Sequence, residues 1–254
     1  MSLSISNSHR QVSFGRRKRP REAKRRFKQI NLNPISSHCF NEVIEARHQS
    51  IDHKLLRKIE KRPGFVYLFA QTLKDALPHF DNNNYGHLFA AAAAVHYTTD
   101  SGKKGKATVF YENADKNHPM PWQSVFRHEG GHHFDQMFDD IAGCNLVDTD
   151  SFQKALSEDR KLSSEKGHLE KLKKLCKKKE FVEILDRYNH YVKESDFKPK
   201  ERKGQELFAE ICAMLNGGSE AEAQCKGFDK FYREAFPNTV EYVKKFLWLL
   251  GKRG

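Results

Sequence analysis

This chain of 254 residues has no C-x-x-C, no long apolar run and no opening of the kind a secretory signal shows. The five cysteines, Cys39, Cys144, Cys176, Cys212 and Cys225, are odd in number and scattered, with no C-x-x-C. That argues against a disulfide framework and for reduced thiols in a cytosolic setting. The longest apolar run, Leu88 to Val95, is mostly alanine and far too short for a bilayer, so no transmembrane segment is expected. The opening MSLSISNSHRQVSF lacks the charged-then-apolar order of a secretory signal. With 31% of residues charged, the expectation is a soluble protein, cytoplasmic as synthesised.

The net charge of +12 is unevenly spread. Residues 1–28 hold ten Lys or Arg against one Glu, and residues 160–205 hold fifteen against eight acidic residues. These two stretches carry +9 and +7, so the remainder is net acidic. Residues 1–36 read as a disordered basic arm, polar and poor in aromatics. Within it, residues 16–28 suit an anionic partner: nucleic acid, a membrane surface or an import receptor. A solvated tail that keeps the protein soluble is the plainer reading.

The apolar spacing of Val43, Ile44, Ile51, Leu55, Leu56 and Ile59 predicts one amphipathic helix over 39–60, ended by Lys61-Arg62-Pro63-Gly64. Residues 65–77 are apolar and ambiguous between strand and helix, and 81–86 read as a loop. Residues 87–97 read as a buried helix, because Ala90–Ala94 favour helix. Residues 101–105 read as a turn and 106–112 as a strand, either an ordinary sheet strand or one to which a peptide adds by β-augmentation. Residues 113–122 form a loop and 143–151 a connection. Residues 152–194 are helical and lysine-rich, 195–204 break that helix, and 205–215 form another. Ser219-Glu220-Ala221-Glu222 and Asn238-Thr239-Val240-Glu241 have capping-box spacing, and an amphipathic helix runs to about Leu250.

The chemistry concentrates in His128-Glu129-Gly130-Gly131-His132, an H-E-x-x-H motif. On a helix, residues i and i+4 share a face, so His128 and His132 would aim two imidazoles at one point, a pair of zinc ligands. Glu129, one step round, is placed to act as general base on a water. Two glycines cost a helix about 1 kcal/mol each relative to alanine. Something is therefore expected to approach this helix closely. His133 points about 100° away from the His128/His132 face and reads as core or surface. Glu206 and Glu210 share a helix face at i, i+4, where two carboxylates repel unless something positive lies beside them.

H-E-x-x-H followed downstream by Glu206-Leu207-Phe208-Ala209-Glu210 resembles the gluzincin arrangement. More narrowly, it is similar to the catalytic domain of anthrax lethal factor and its related domains, where the corresponding string reads E-F-F-A-E. The closing stretch Phe236 to Phe246 resembles that family's last helix, and the likeness covers roughly residues 105–254. It implies an α+β zincin-like metalloprotease domain over 37–254, with a small sheet, an H-E-x-x-H helix and a mainly helical C-terminal half. It implies one Zn2+ per chain held by His128, His132 and Glu206, with Glu129 as base. Glu210 and Asp135 would orient ligand histidines through their other ring nitrogens. The interval from His132 to Glu206 is longer than in the family, so about 155–203 reads as a basic helical insertion. The family's oxyanion tyrosine, seven residues before the ligand glutamate, is replaced by Pro199. Tyr188, Tyr191 and Tyr111 are candidates to substitute.

The expected function is zinc-dependent hydrolysis of peptide bonds in a protein or peptide substrate. By analogy it is that of an effector or toxin acting on host proteins, delivered without a signal peptide into a host cytosol. The alternatives are a non-enzymatic pseudo-zincin adaptor and a DNA-associated metalloprotease using the basic arm.

Overall fold

The computed structural model describes residues 27–29, 37–49, 53–70, 92–98, 104–111, 121–164, 174, 202–219, 222–223 and 227–252. Strands β1 (Phe27–Gln29), β2 (Val66–Ala70), β3 (Ala92–Thr98) and β4 (Lys104–Tyr111) form one sheet in the order β1-β2-β4-β3. β1 runs parallel to β2 and β2 to β4, while β3 lies antiparallel to β4 at the edge. Helices α1 (Ser37–Gln49) and α2 (His53–Glu60) precede β2, and α3 (Trp122–Ala142) follows β4. A 3-10 turn (Leu146–Asp148) leads into α4 (Asp150–Ser164), followed by α5 (Arg202–Leu215), α6 (Phe228–Ala235) and α7 (Pro237–Lys252). The sheet in one part of the chain and helices in the rest make the class α+β. Among the described residues, no helix is long and apolar enough to cross a membrane.

Aromatic side chains join the sheet to α3. Phe126 packs on Tyr67 and Phe110, with ring centroids 5.8 and 6.3 Å apart, and Phe65 meets the His133 ring edge-on at 5.1 Å. The α3 residues that meet the sheet include 122, 126, 129, 133, 136 and 140, a helical stripe. Positions 128, 131 and 135 make a second stripe, towards α5. One helix thus sits between sheet and C-terminal helices, in contact with both.

Several sequence expectations change. The predicted 39–60 helix is two helices. A straight helix would hold residues 47 and 60 about 20 Å apart, yet Arg47 Nε lies 2.6 Å from Glu60 Oε1, so the chain doubles back between them. The ambiguous stretch after Gly64 is a strand over 66–70. The predicted helix over 87–97 is contradicted where it is described. Residues 92–98 pair with β4 over seven positions, and this pairing with Val95, Tyr97 and Thr98 overrides alanine's helix preference. The strand expected at 106–112 is present as 104–111, absorbing part of the predicted turn. It pairs on both sides, so it cannot receive an added strand; among the described residues the edges are β1 and β3.

The disordered arm expected over 1–36 stops short of its limit, because residues 27–29 pair with β2. The start of the segment expected as an insertion over about 155–203 is packed into the fold. Phe152, Ala155 and Leu156 are buried in the core, and Asp159 is fully buried. Residues 165–173 and 175–201, with Tyr188, Tyr191 and Pro199, lie outside the described residues, as do residues 1–26, the expected loop over 81–86 and residues 113–120 of the loop expected over 113–122.

The capping prediction at Asn238–Glu241 is also corrected. α7 starts at Pro237, and its first amides are held by Asp159 of α4. Asp159 Oδ1 accepts from the backbone and side-chain amides of Asn238 at 2.9 and 2.8 Å, and Oδ2 from the N–H and hydroxyl of Thr239 at 2.7 Å each. A carboxylate at a helix N-terminus satisfies orphan donors and complements the helix dipole. Asp159→Ala is expected to cost about 2–4 kcal/mol in denaturant unfolding, since it strands buried donors. A change below about 0.5 kcal/mol would return α4 to the status of an appendage. At Ser219 the capping expectation holds in half: Ser219 Oγ accepts from the Glu222 N–H at 3.0 Å. The Glu222 carboxylate turns instead to the amides of Gly227 and Asp229, at 2.8 and 3.0 Å.

Candidate metal centre

The i, i+4 spacing on α3 brings the Nε2 atoms of His128 and His132 to 3.2 Å from each other. From α5, Glu206 Oε2 lies 3.1 Å from His128 Nε2 and Glu206 Oε1 3.5 Å from His132 Nε2. The three ligand atoms therefore converge. Zinc–ligand bonds of 2.0–2.1 Å in a tetrahedron set ligand-to-ligand edges of about 3.3 Å. The observed separations lie around that edge, the two from Glu206 being to its different oxygens, so the three residues offer donors of the type and spacing that zinc takes. Two imidazole nitrogens facing one another at this distance also require a shared proton or a cation between them.

The site is built where α3 and α5 come closest. A Cβ on Gly131 would fall 2.6 Å from Ala209 Cα and 3.0 Å from the Ala209 carbonyl oxygen. The close approach expected from the glycines is thus made, at Gly131, by α5. Ala209 lies between Glu206 and Glu210, so this contact sets how near both carboxylates come to the histidines. Gly131→Ala is expected to destabilise the fold by about 1–3 kcal/mol despite its gain in helix propensity, because the overlap is with backbone. Zinc affinity, measured by chelator competition, should fall with it. Unchanged stability and affinity would mean that the two helices can part without consequence.

Glu210 is no surface carboxylate: it is 3% exposed. Its Oε1 lies 3.4 Å from His128 Nδ1, a buried nitrogen that has no aligned hydrogen bond. His128 is gripped at both ring nitrogens by carboxylates of one helix. Burial acts to lower its pKa, but Glu206 and Glu210 outweigh burial and raise it well above the ordinary value. His132 is likewise raised, against burial, chiefly by Glu206. Burial acts to raise Glu206, but the two imidazoles outweigh it and hold the carboxyl far below the usual range. The Glu206 side chain is 44% exposed, so the site opens to solvent on its side.

Glu129 is buried behind this group, 6% exposed. Burial first, and then Glu206, push its pKa up, against the imidazoles and a hydrogen bond from the Ala94 N–H. Its Oε2 is buried with no hydrogen-bond partner.

Asp135 takes a different part from the one expected. Its Oδ1 accepts from the Val147 N–H at 3.3 Å, and its hydrogen bonds go to the 3-10 turn and not to a histidine ring. Burial pushes its carboxyl up to about 6, against the pull of the Val147 and Leu146 amides. A carboxyl raised in the fold favours folding when protonated, and that contribution is lost as pH rises from about 4 through about 6. In zinc-stripped protein, the stability difference between Asp135→Asn and wild type should therefore move in favour of Asn by about 1–3 kcal/mol between pH 4 and pH 8. A difference independent of pH would show that Asp135 does not titrate in this range.

Of the two alternatives for His133, core and surface, the structure shows the core. His133 is 1% exposed, with Nε2 2.8 Å from Thr108 Oγ1 and Nδ1 3.2 Å from Gln136 Oε1. Sequence reasoning missed Gln136, whose Nε2 donates to the Ala94 carbonyl at 3.5 Å. Its place on α3, seven residues after Glu129 and so on the same face, was the available signal. No protein-family model matches the chain, and no curated protein matches it.

Proposed function

We propose that this chain is a zinc-dependent endopeptidase of the zincin type, with the gluzincin ligand set that resembles the lethal factor catalytic domain. The observation that carries the reading is the convergence of His128, His132 and Glu206 from two helices, with the buried carboxylate of Glu129 beside them. His128 Nε2, His132 Nε2 and a Glu206 carboxylate oxygen would hold the metal. A zinc ion held there would supply Lewis-acid polarisation of a carbonyl and would lower the pKa of a water to about 7. Glu129 takes a proton from the attacking water and returns it to the nitrogen of the departing amine. Burial raises its pKa, which favours its taking that proton. Glu210, against His128 Nδ1, fixes the tautomer that leaves Nε2 free to ligate. Glu206, the most open of the three, faces the side from which a peptide reaches the site.

Pro199, in the position where the resembled family has its oxyanion tyrosine, favours a second reading, a zinc-holding adaptor without catalysis. One experiment separates the two. The full chain is incubated with a broad peptide library, and cleavage is read by mass spectrometry with and without chelator. The protease reading expects new termini, their loss on chelation and their return with added zinc. Bound zinc with no cleavage in the library or in a cell lysate would favour the adaptor.

A further inference from the structure

The zinc ligands do not by themselves hold the proposed base in place. We infer that Gln136 is a positioning residue for Glu129, acting through the main chain of Ala94 in the edge strand β3. Glu129 accepts the Ala94 N–H, and Gln136 Nε2 donates to the Ala94 carbonyl at 3.5 Å. The N–H and C=O of one residue in a strand point the same way. Ala94 therefore turns both towards α3 and away from β4. Glu129 and Gln136 stand seven residues apart on one helix face and take this one residue at two points.

The amide of Gln136 is oriented from its other end. Its Oε1 accepts from Arg62 Nη1 at 3.4 Å and lies 3.2 Å from His133 Nδ1. Arg62 is buried and anchored by Asp140 at 2.7 Å. With Oε1 engaged by a cation, Nε2 is the end turned to Ala94. The chain of contacts thus fixes the edge strand on α3, puts the Ala94 N–H on the Glu129 carboxylate and leaves Oε2 without a partner. A rotating carboxylate would lose that asymmetry.

The catalytic consequence rests on the proposed protease reading; the clamp does not. Gln136→Glu keeps an acceptor for Arg62 and removes the donor to Ala94. Amide exchange by NMR on the full chain should show Ala94 protected in wild type, and exchanging at least about tenfold faster in Gln136→Glu and in Glu129→Ala. Val109, inside the sheet, should not change. In zinc-loaded protein, Gln136→Glu should lower kcat about tenfold to a hundredfold and leave KM within about twofold. It should add nothing to the loss in Glu129→Ala. Wild-type exchange at Ala94 in Gln136→Glu would overturn the clamp. An equal further loss in the Glu129→Ala background would overturn the positioning role. If wild type cleaves nothing while Ala94 exchange responds as stated, the clamp stands and the protease reading falls. Should Gln136→Glu fail to fold, Gln136→Met removes the same donor without adding charge.

Discussion

Glu129→Ala is expected to keep its fold and its zinc and to lose peptide cleavage by a factor of at least about 10². The fold should survive because the substitution removes a buried carboxylate whose burial is costly and whose Oε2 has no hydrogen-bond partner, and it gives up only the contact with the Ala94 N–H at the edge strand. Zinc should survive because the three converging ligand atoms belong to other residues. Activity should not, since the group that moves the proton from water to the leaving amine is gone. Circular dichroism, elemental analysis and the peptide digest read the three outcomes separately. Cleavage at the wild-type rate would remove Glu129 from the role of base.

Glu206→Ala should instead lose metal and activity together. Three protein ligands leave one open position for catalysis, and two histidines alone hold zinc poorly. The loss has a structural counterpart: His128 and His132 would then face one another at 3.2 Å without the carboxylate that now sits 3.1 and 3.5 Å from them. Glu210→Gln should be milder, weakening zinc by about 10- to 100-fold while leaving catalysis at saturating metal. Full zinc retention in Glu206→Ala would move the third ligand elsewhere, with Glu210 first to be examined.

What was legible in the sequence was local. His128 and His132 needed only helical spacing, and Glu206 with Glu210 only the same rule on a second helix. Gly131 announced a close approach through its cost in a helix, but the partner, Ala209, lies 78 residues on and carries no sign of it. Asp135 had plausible spacing for a histidine partner, yet its carboxylate serves the backbone of the following turn. What failed was non-local. An alanine run reads as helix by propensity, and only pairing with β4 makes residues 92–98 a strand. Asp159 caps a helix about 80 residues away, which no capping pattern around Asn238 reveals. Gln136 sits in the readable register of Glu129, but its meaning depends on β3, which was itself misread.

Zinc content is the most direct test of the central claim. Purified full chain and a His128→Ala/His132→Ala double substitution are dialysed side by side and their zinc is counted per chain by elemental analysis. The geometry of His128, His132 and Glu206 predicts one zinc per wild-type chain and essentially none in the double substitution. Equal zinc in the two proteins would contradict it.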